Sequence, residues 1–416
     1  MIKNILHTIG SKFLLAISNL ITIVVITKVL GTDGRGEVSL FVTNMTFILH
    51  LCYVVGGTAV TYLTPRKNFY QLLAPSYLWS ILATLIGVGL FYLFGKLQDR
   101  FFIHIIIITI INAWNGTNLT VLLGKERITT HNILAVIQPI ILLIYIVVSY
   151  FLLEELTVFS YLYALYISLL CTFIISWFYL NQFEDRFSIR NFKSSLKSLF
   201  RYGLVAQLAN LLQLFNYRIT YYFISTDEKL GILSNAVAIA ESLWILGKAM
   251  ATVQYSRIVN TEDQSKNALI TIRFFKLSFG LTLIASLILL IIPPGLFVFL
   301  FNRDFSSLPL LFPFLVPGII FLGTSATLSP YFSGQGRYEQ SLIASLLGGI
   351  GAILGCIYLI PELGNIGACI TMSISYFIGF IYLWSRFQYE QKLNWKLYIP
   401  SLIDFKELKK IVLKTD

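Results

Sequence analysis

Charge is what this chain lacks. Asp, Glu, Lys and Arg make up 12% of its 416 residues, about half the roughly one-quarter share of soluble domains, which excludes a water-soluble domain of any size. Histidine is equally sparse: His7, His50, His104 and His131 are the only four, they are scattered, and they form no nucleophile–base constellation. The four cysteines, Cys52, Cys171, Cys356 and Cys369, sit in apolar segments without metal-ligand spacing. No G-x-x-x-x-G-K-[ST] loop occurs. The sequence therefore offers no catalytic group, no metal site and no cofactor motif, and we read it as a non-enzyme.

Apolar residues fill the space. They account for 56% of the chain, mean hydropathy is +0.77, and runs long enough to span a bilayer recur along its whole length, which predicts α-helical spans and not the alternating segments of a β-barrel. With Gly, Pro and charge clusters as punctuation, twelve spans are predicted. The first covers 13–30, the seventh 202–224, the eighth 230–256 and the tenth 308–332. The first is read as a retained helix and not a cleaved signal.

The basic residues orient these spans. If the N-terminus is inside, 23 of the 31 Lys and Arg fall in inner segments, 6 in outer segments and two, Arg218 and Lys248, inside the membrane. Both termini are thus expected to be cytoplasmic. The net charge of +11 becomes a topology signal, and no nucleic-acid partner is needed to explain it. Arg186, Arg190, Lys193, Lys197 and Arg201 form one helical stripe, an interfacial helix on anionic lipid, and 401–414 reads as an amphipathic tail.

A faint repeat crosses the chain. Thr32-Asp33 in "KVLGTDGRGEVSLF" and Thr226-Asp227 in "YFISTDEKLGILSN" are 194 positions apart, and Gly36 and Gly231 are 195 apart. Two sets of six spans enter the membrane from the same side, so the repeat is parallel, and transporters built this way bind substrate between the halves. The expected organisation is an N-terminal six-helix bundle (1–182), a cytoplasmic amphipathic linker (183–201), a C-terminal six-helix bundle (202–389) and a cytoplasmic tail (390–416). The fold class is an all-α polytopic membrane protein, twelve transmembrane helices in two parallel-repeat bundles around a central cavity.

The few intramembrane charges mark the candidate site, because each costs roughly 2.5 to 3.5 kcal/mol at a span centre. Glu241 and Lys248 lie two turns apart on one face of the eighth span. Arg218 shares a face of the seventh with Gln207, Asn210 and Tyr221. Lys248 lies near an inner end and can snorkel. Glu241 is either a structural partner of Arg218 or a protonatable coupling group. Two cations against one anion suit a ligand carrying phosphate. Lys12 and Asn19 share a face in the first span, where Lys12 is either a flank residue or a further cation; Asn112 and Asn115 offer amides in the fourth. Gly351 and Gly355 form a packing pair, and Pro309, Pro313 and Pro317 predict a kinked or partly unwound tenth span.

Four stretches resemble a known family. "VLGTDGRGEVSLF" looks like the first-loop signature LGP-E-G-x-G of bacterial polysaccharide and O-antigen lipid flippases, with Thr32 and Asp33 where Pro and Glu are usual. "NYRITYYF" resembles their seventh span, with Tyr217 in place of a common Asp. "LGILSNAVAIAESLW" is similar to their eighth-span pattern, Glu241 falling on its Glu and Trp244 one residue beyond its Trp. "IYLIPELGNIGACITMSISY" matches IP-x-x-G-x-x-GA. The resemblance implies the oligosaccharidyl-lipid branch of the multidrug/oligosaccharidyl-lipid/polysaccharide exporter superfamily, located in the bacterial cytoplasmic (inner) membrane. It implies alternating access that carries an undecaprenyl-diphosphate-linked oligosaccharide outward for O-antigen, capsule or exopolysaccharide assembly. Arg218, Lys248 and Lys12 would hold the diphosphate, polar faces with Gln207 and Asn210 would pass the sugars, and a polymerase and other assembly proteins would be partners. A cation-coupled multidrug exporter of the same superfamily is the alternative, and a polytopic polymerase or glycosyltransferase the alternative of another class.

Overall fold

The computed structural model describes residues 2–153, 156–183, 185, 191–259 and 263–392. These form fourteen α-helices with short 3-10 turns between them and no strand among the described residues. In chain order they are α1 (Ile2–Gly56), α2 (Thr58–Leu63), α3 (Tyr70–Leu93), α4 (Phe102–Gly124), α5 (Ile128–Leu153), α6 (Val158–Leu180) and α7 (Phe192–Arg218). The second half continues with α8 (Asp227–Leu243), α9 (Ile245–Val259), α10 (Gln264–Ile291), α11 (Pro294–Leu300), α12 (Phe312–Ser333), α13 (Glu339–Tyr358) and α14 (Ile360–Gln391).

Nine helical stretches among the described residues are long and apolar enough to cross a membrane. The first of them, Ile17–Leu63, runs 47 residues, about twice what a bilayer requires. It is two spans joined at Gly31, whose φ of 67° and ψ of −167° break the helix. The missing spans are the polar ones. α7 is diluted by Gln207, Asn210 and Arg218, while Glu241 and Lys248 lie on α8 and α9, which the break at Trp244 leaves as helices of 17 and 15 residues, each shorter than a span. With α1 counted as two spans and α7 and α8–α9 restored, the chain is an all-α protein of twelve membrane-spanning helices.

Gly31 sits in a backbone region that residues with a Cβ occupy at a cost of about 1 to 3 kcal/mol. Gly31→Ala should therefore lower the thermal midpoint of the purified protein although it leaves the apolar character of α1 untouched. An unchanged midpoint would mean that the bend relaxes at no cost.

The chain divides into two compact units. Unit 1 comprises Met1–Leu214, Thr226–Gly231 and Phe299–Asp304; unit 2 comprises Phe215–Ser225, Ile232–Val298 and Phe305–Asp416. Unit 1 packs Phe41, Ile48, Ile105 and Leu162 in one core cluster and Phe69, Leu72, Val121 and Leu180 in another. In unit 2, Leu328, Tyr331, Phe332 and Phe387 form a buried cluster. Large apolar side chains such as Phe151, Phe178 and Ile291 are left on the outside, as suits helices whose solvent is lipid.

Between the helices the contacts are polar and small, because lipid supplies no hydrophobic drive for helix association. Asn115 donates to Thr172 at 3.0 Å and Asn118 to Ser176 at 2.9 Å, joining α4 to α6, while Asn112 donates weakly to the Met45 sulfur. Thr271, Thr324 and Thr371 each return a hydroxyl to the carbonyl four residues earlier on their own helices. Gly351 and Gly355 seat Ile378 and Thr371 of α14, so this pair packs helices. Of the three spaced prolines, Pro309 falls in a 3-10 turn (Leu308–Leu311) and Pro313 in the first turn of α12. A missing amide costs nothing at those places, and only Pro317 is interior. In the basic stripe, Lys193, Lys197 and Arg201 belong to α7 itself; Arg186, Arg190 and residues 393–416 lie outside the described residues, as does the side chain of Lys12.

Candidate functional site

The site is built in unit 2, where two polar helices lose their regularity. α7 ends at Arg218 and passes into a 3-10 stretch (Ile219–Phe223), and α8 stops at Leu243 beside Trp244. Asn216 fixes the end of α7. Its amide donates to the Ser345 carbonyl at 2.8 Å, and a Cβ added to Gly349 would stand 3.0 Å from its Oδ1.

Two residues further, the Arg218 guanidinium meets Glu241 in a two-pronged pair. Nη1 donates to Oε1 and Nη2 to Oε2, both at 2.8 Å, and Nη1 also donates to the Tyr217 carbonyl at 3.1 Å. The two side chains are only 24% and 15% exposed, so each charge depends on the other for compensation. The guanidinium also lies over the Tyr221 ring, 5.4 Å from its centre.

Aromatic rings surround the pair. Tyr217 stands edge-on to Trp244 and to Tyr376, with centroids at 5.5 Å and 5.7 Å. The Tyr376 hydroxyl is buried without a hydrogen-bond partner among the described residues. The Lys248 ammonium lies 3.9 Å from the centre of the Trp244 ring. Trp244 is buried and Lys248 is exposed. Unit 2 thus carries here an exposed ammonium backed by an indole, and an Arg218 that is paired with Glu241.

The structure gathers Arg218, Glu241 and Lys248 around Trp244 and Tyr217. Gln207 and Asn210 belong to unit 1. Gln207 is buried, its amide nitrogen 2.9 Å from where a Cβ on Gly57 would stand, so it packs against the break between α1 and α2. Asn210 is exposed and reaches the Gln207 oxygen at 3.4 Å. Sequence reasoning passed over Asn216 and Tyr376. Asn216 sits two residues before Arg218 on the polar helix and was within reach of inspection. Tyr376 lies on α14, and no spacing rule connects it to α7. Among the described residues no group of acidic, His or Cys side chains could hold a metal ion.

No protein-family model matches this sequence, and no curated protein matches it. Solved structures do. An inward-facing multidrug resistance MATE family transporter of the MOP superfamily superimposes with a TM-score of 0.71 at 17% identity, over 91% of this chain and 96% of that one. The lipid II flippase MurJ, in an inward closed conformation, gives 0.69 at 18% identity, over 100% and 93%. The eukaryotic MATE transporter AtDTX14 gives 0.66 at 14%, over 99% and 98%. This chain has their fold. At such identities the likeness is one of architecture, and it agrees with the all-α, multi-pass reading; the solved neighbours are transporters and a flippase.

Proposed function

We propose that this protein is a flippase. It carries undecaprenyl-diphosphate-linked oligosaccharide from the inner to the outer leaflet of a bacterial cytoplasmic membrane by alternating access, for surface polysaccharide assembly, with both termini cytoplasmic. The observation that carries this reading is the state of Glu241. It is the one acidic residue inside the twelve expected spans, and both its oxygens are held by Arg218, so the exposed charge nearby is the Lys248 ammonium. Such a face suits a phosphate-bearing head, and Asn210 offers an amide to a sugar. Lys12 is a further candidate for the diphosphate. The fold shared with a lipid II flippase supports the class of cargo.

The likeness to MATE transporters favours a second reading, export of a cationic drug. A cation needs an available carboxylate, and here that carboxylate is occupied. Purified protein in liposomes separates the two. Flipping of a polyprenyl-diphosphate-linked oligosaccharide, without extrusion of a cationic dye under either an imposed proton or sodium gradient, is expected. Dye extrusion without lipid flipping would replace the proposal by the exporter.

A further inference from the structure

Within unit 1, two glycines meet two carbonyls. A Cβ on Gly36 of α1 would collide with the carbonyl oxygen of Asp227, and a Cβ on Gly231 of α8 would collide with that of Thr32. Each helix therefore presents the other with the same element, a carbonyl followed four residues later by a glycine. Thr32 and Asp227 are separated by 195 positions, and so are Gly36 and Gly231. The contact is reciprocal, and it joins corresponding points of the two repeats. Backbones this close make Cα–H···O contacts and leave no room for a methyl group.

Carboxylates crowd the same crossing. Asp227 opens α8, and α1 brings Asp33 and Glu37 towards it; burial first, then the charges of Glu37 and Asp33, push the Asp227 carboxyl above its ordinary 3.8, while Arg100 opposes them. Arg100 holds Glu37 Oε1 at 2.6 Å, and the other Glu37 oxygen is buried without a hydrogen-bond partner among the described residues. The remaining charges nearby are accounted for as follows. Glu228 and Lys229 are exposed on the same helix as Asp227, and Arg35 acts electrostatically on Tyr161 of α6. Lys28 lies 5.8 Å from the centre of the Phe299 ring, and an Asp304 oxygen stands 4.0 Å from where a Cβ on Gly31 would be.

We propose that this crossing is a proton-sensitive latch: α1 and α8 lock where Gly36 and Gly231 seat each other's carbonyls, and a proton on the Asp227 carboxyl tightens the lock by relieving its repulsion with Glu37 and Asp33. The sign follows from linkage. A carboxyl raised by the closed crossing costs nothing while protonated, and it destabilises the crossing as pH climbs from 3.8 through the raised value. The latch is thus firmest in acid and loosens towards neutrality. Gly231 and Glu241 are on one helix, ten positions apart and about 15 Å along its axis at 1.5 Å per residue, so release of the first turn of α8 reaches the helix that holds Arg218.

The test needs no substrate, so its outcome is independent of the flippase reading. In protein lacking Cys52, Cys171, Cys356 and Cys369, the reporter is Thr27→Cys, at a fully buried position of α1. Its rate of reaction with an impermeant thiol reagent is divided by that of the exposed Glu362→Cys at the same pH, which cancels the intrinsic ionisation of the thiol. Gly36→Ala and Gly231→Ala should each raise this ratio about tenfold or more, equivalent to about 1.4 kcal/mol. The double variant should exceed neither single by much, since both break one contact. In the parent the ratio should rise as pH is raised from below the ordinary carboxyl value of 3.8, and Asp227→Asn, which imitates the protonated carboxyl, should keep it low throughout. A ratio unmoved by either alanine would overturn the latch. A pH slope that persists in Asp227→Asn would overturn its proton, and this variant adds no bulk, so it remains informative if the alanine variants do not fold.

Discussion

Glu241→Gln is expected to be less stable than the parent protein and yet to bind a diphosphate-bearing lipid more tightly. Both effects come from one geometry. Glu241 takes two hydrogen bonds from Arg218 at 2.8 Å, and losing one member of a buried pair costs about 3 to 5 kcal/mol because the other is left uncompensated. The liberated guanidinium is then available to phosphate oxygens, for which its paired donors are well shaped. Turnover should fall while apparent affinity rises, the pattern of a substrate that no longer meets a competitor at release. Replacing both residues, Arg218→Gln with Glu241→Gln, should recover most of the stability and none of the transport. Thermal midpoints, lipid binding and flipping in liposomes read the three quantities separately. A stable Glu241→Gln variant with parental binding would remove the pair from the mechanism.

Lys248→Glu should abolish transport without disturbing the fold. The ammonium is exposed and stands on the Trp244 ring, where a substitution changes stability by about 0.5 kcal/mol or less. A charge-assisted hydrogen bond to phosphate contributes about 1.5 to 3 kcal/mol, so affinity for the lipid head should fall by about one to two orders of magnitude. Lys248→Arg should retain most of it, because guanidinium also stacks on indole. Surface polysaccharide output with intracellular accumulation of the lipid-linked precursor is the cellular readout. Parental output from a normally expressed Lys248→Glu variant would assign the residue to snorkelling.

Much of the architecture was legible because membrane helices declare themselves by apolar length. The two spans most concerned with function declare themselves less plainly: α7 is diluted by Gln207, Asn210 and Arg218, and α8–α9 is broken at Trp244. Helical spacing puts Arg218 and Glu241 on polar faces, yet a uniform rise of 1.5 Å per residue, counted from the expected outer ends of the seventh and eighth spans at 224 and 230, sets Arg218 about 8 Å nearer the outer end than Glu241. The 3-10 stretch after Arg218 removes part of that difference, since its rise of about 2.0 Å per residue carries Arg218 deeper. The long guanidinium arm closes the rest. Tyr376 could not be read from sequence, because its relation to Arg218 exists only once α14 is packed. The repeat was visible through its Thr-Asp motifs at a spacing of 194, but the backbone crossing runs at 195. Identical side chains attract the eye, whereas the contact is made by carbonyls and glycines.

That constant spacing has a consequence for symmetry. A contact in which position i of one repeat touches position j of the other, and j touches i, is isologous, the kind of self-complementary patch by which two copies of one chain form a two-fold dimer. Here both copies lie on a single polypeptide. Two separate copies of one half could meet through the same four backbone positions only if both sides were identical, whereas one chain can carry a different residue on each side. Asp227 and Thr32 now occupy equivalent places, one ionisable and one neutral. A reciprocal contact on one polypeptide need not keep its symmetry, and here a titratable group stands on one side of it alone.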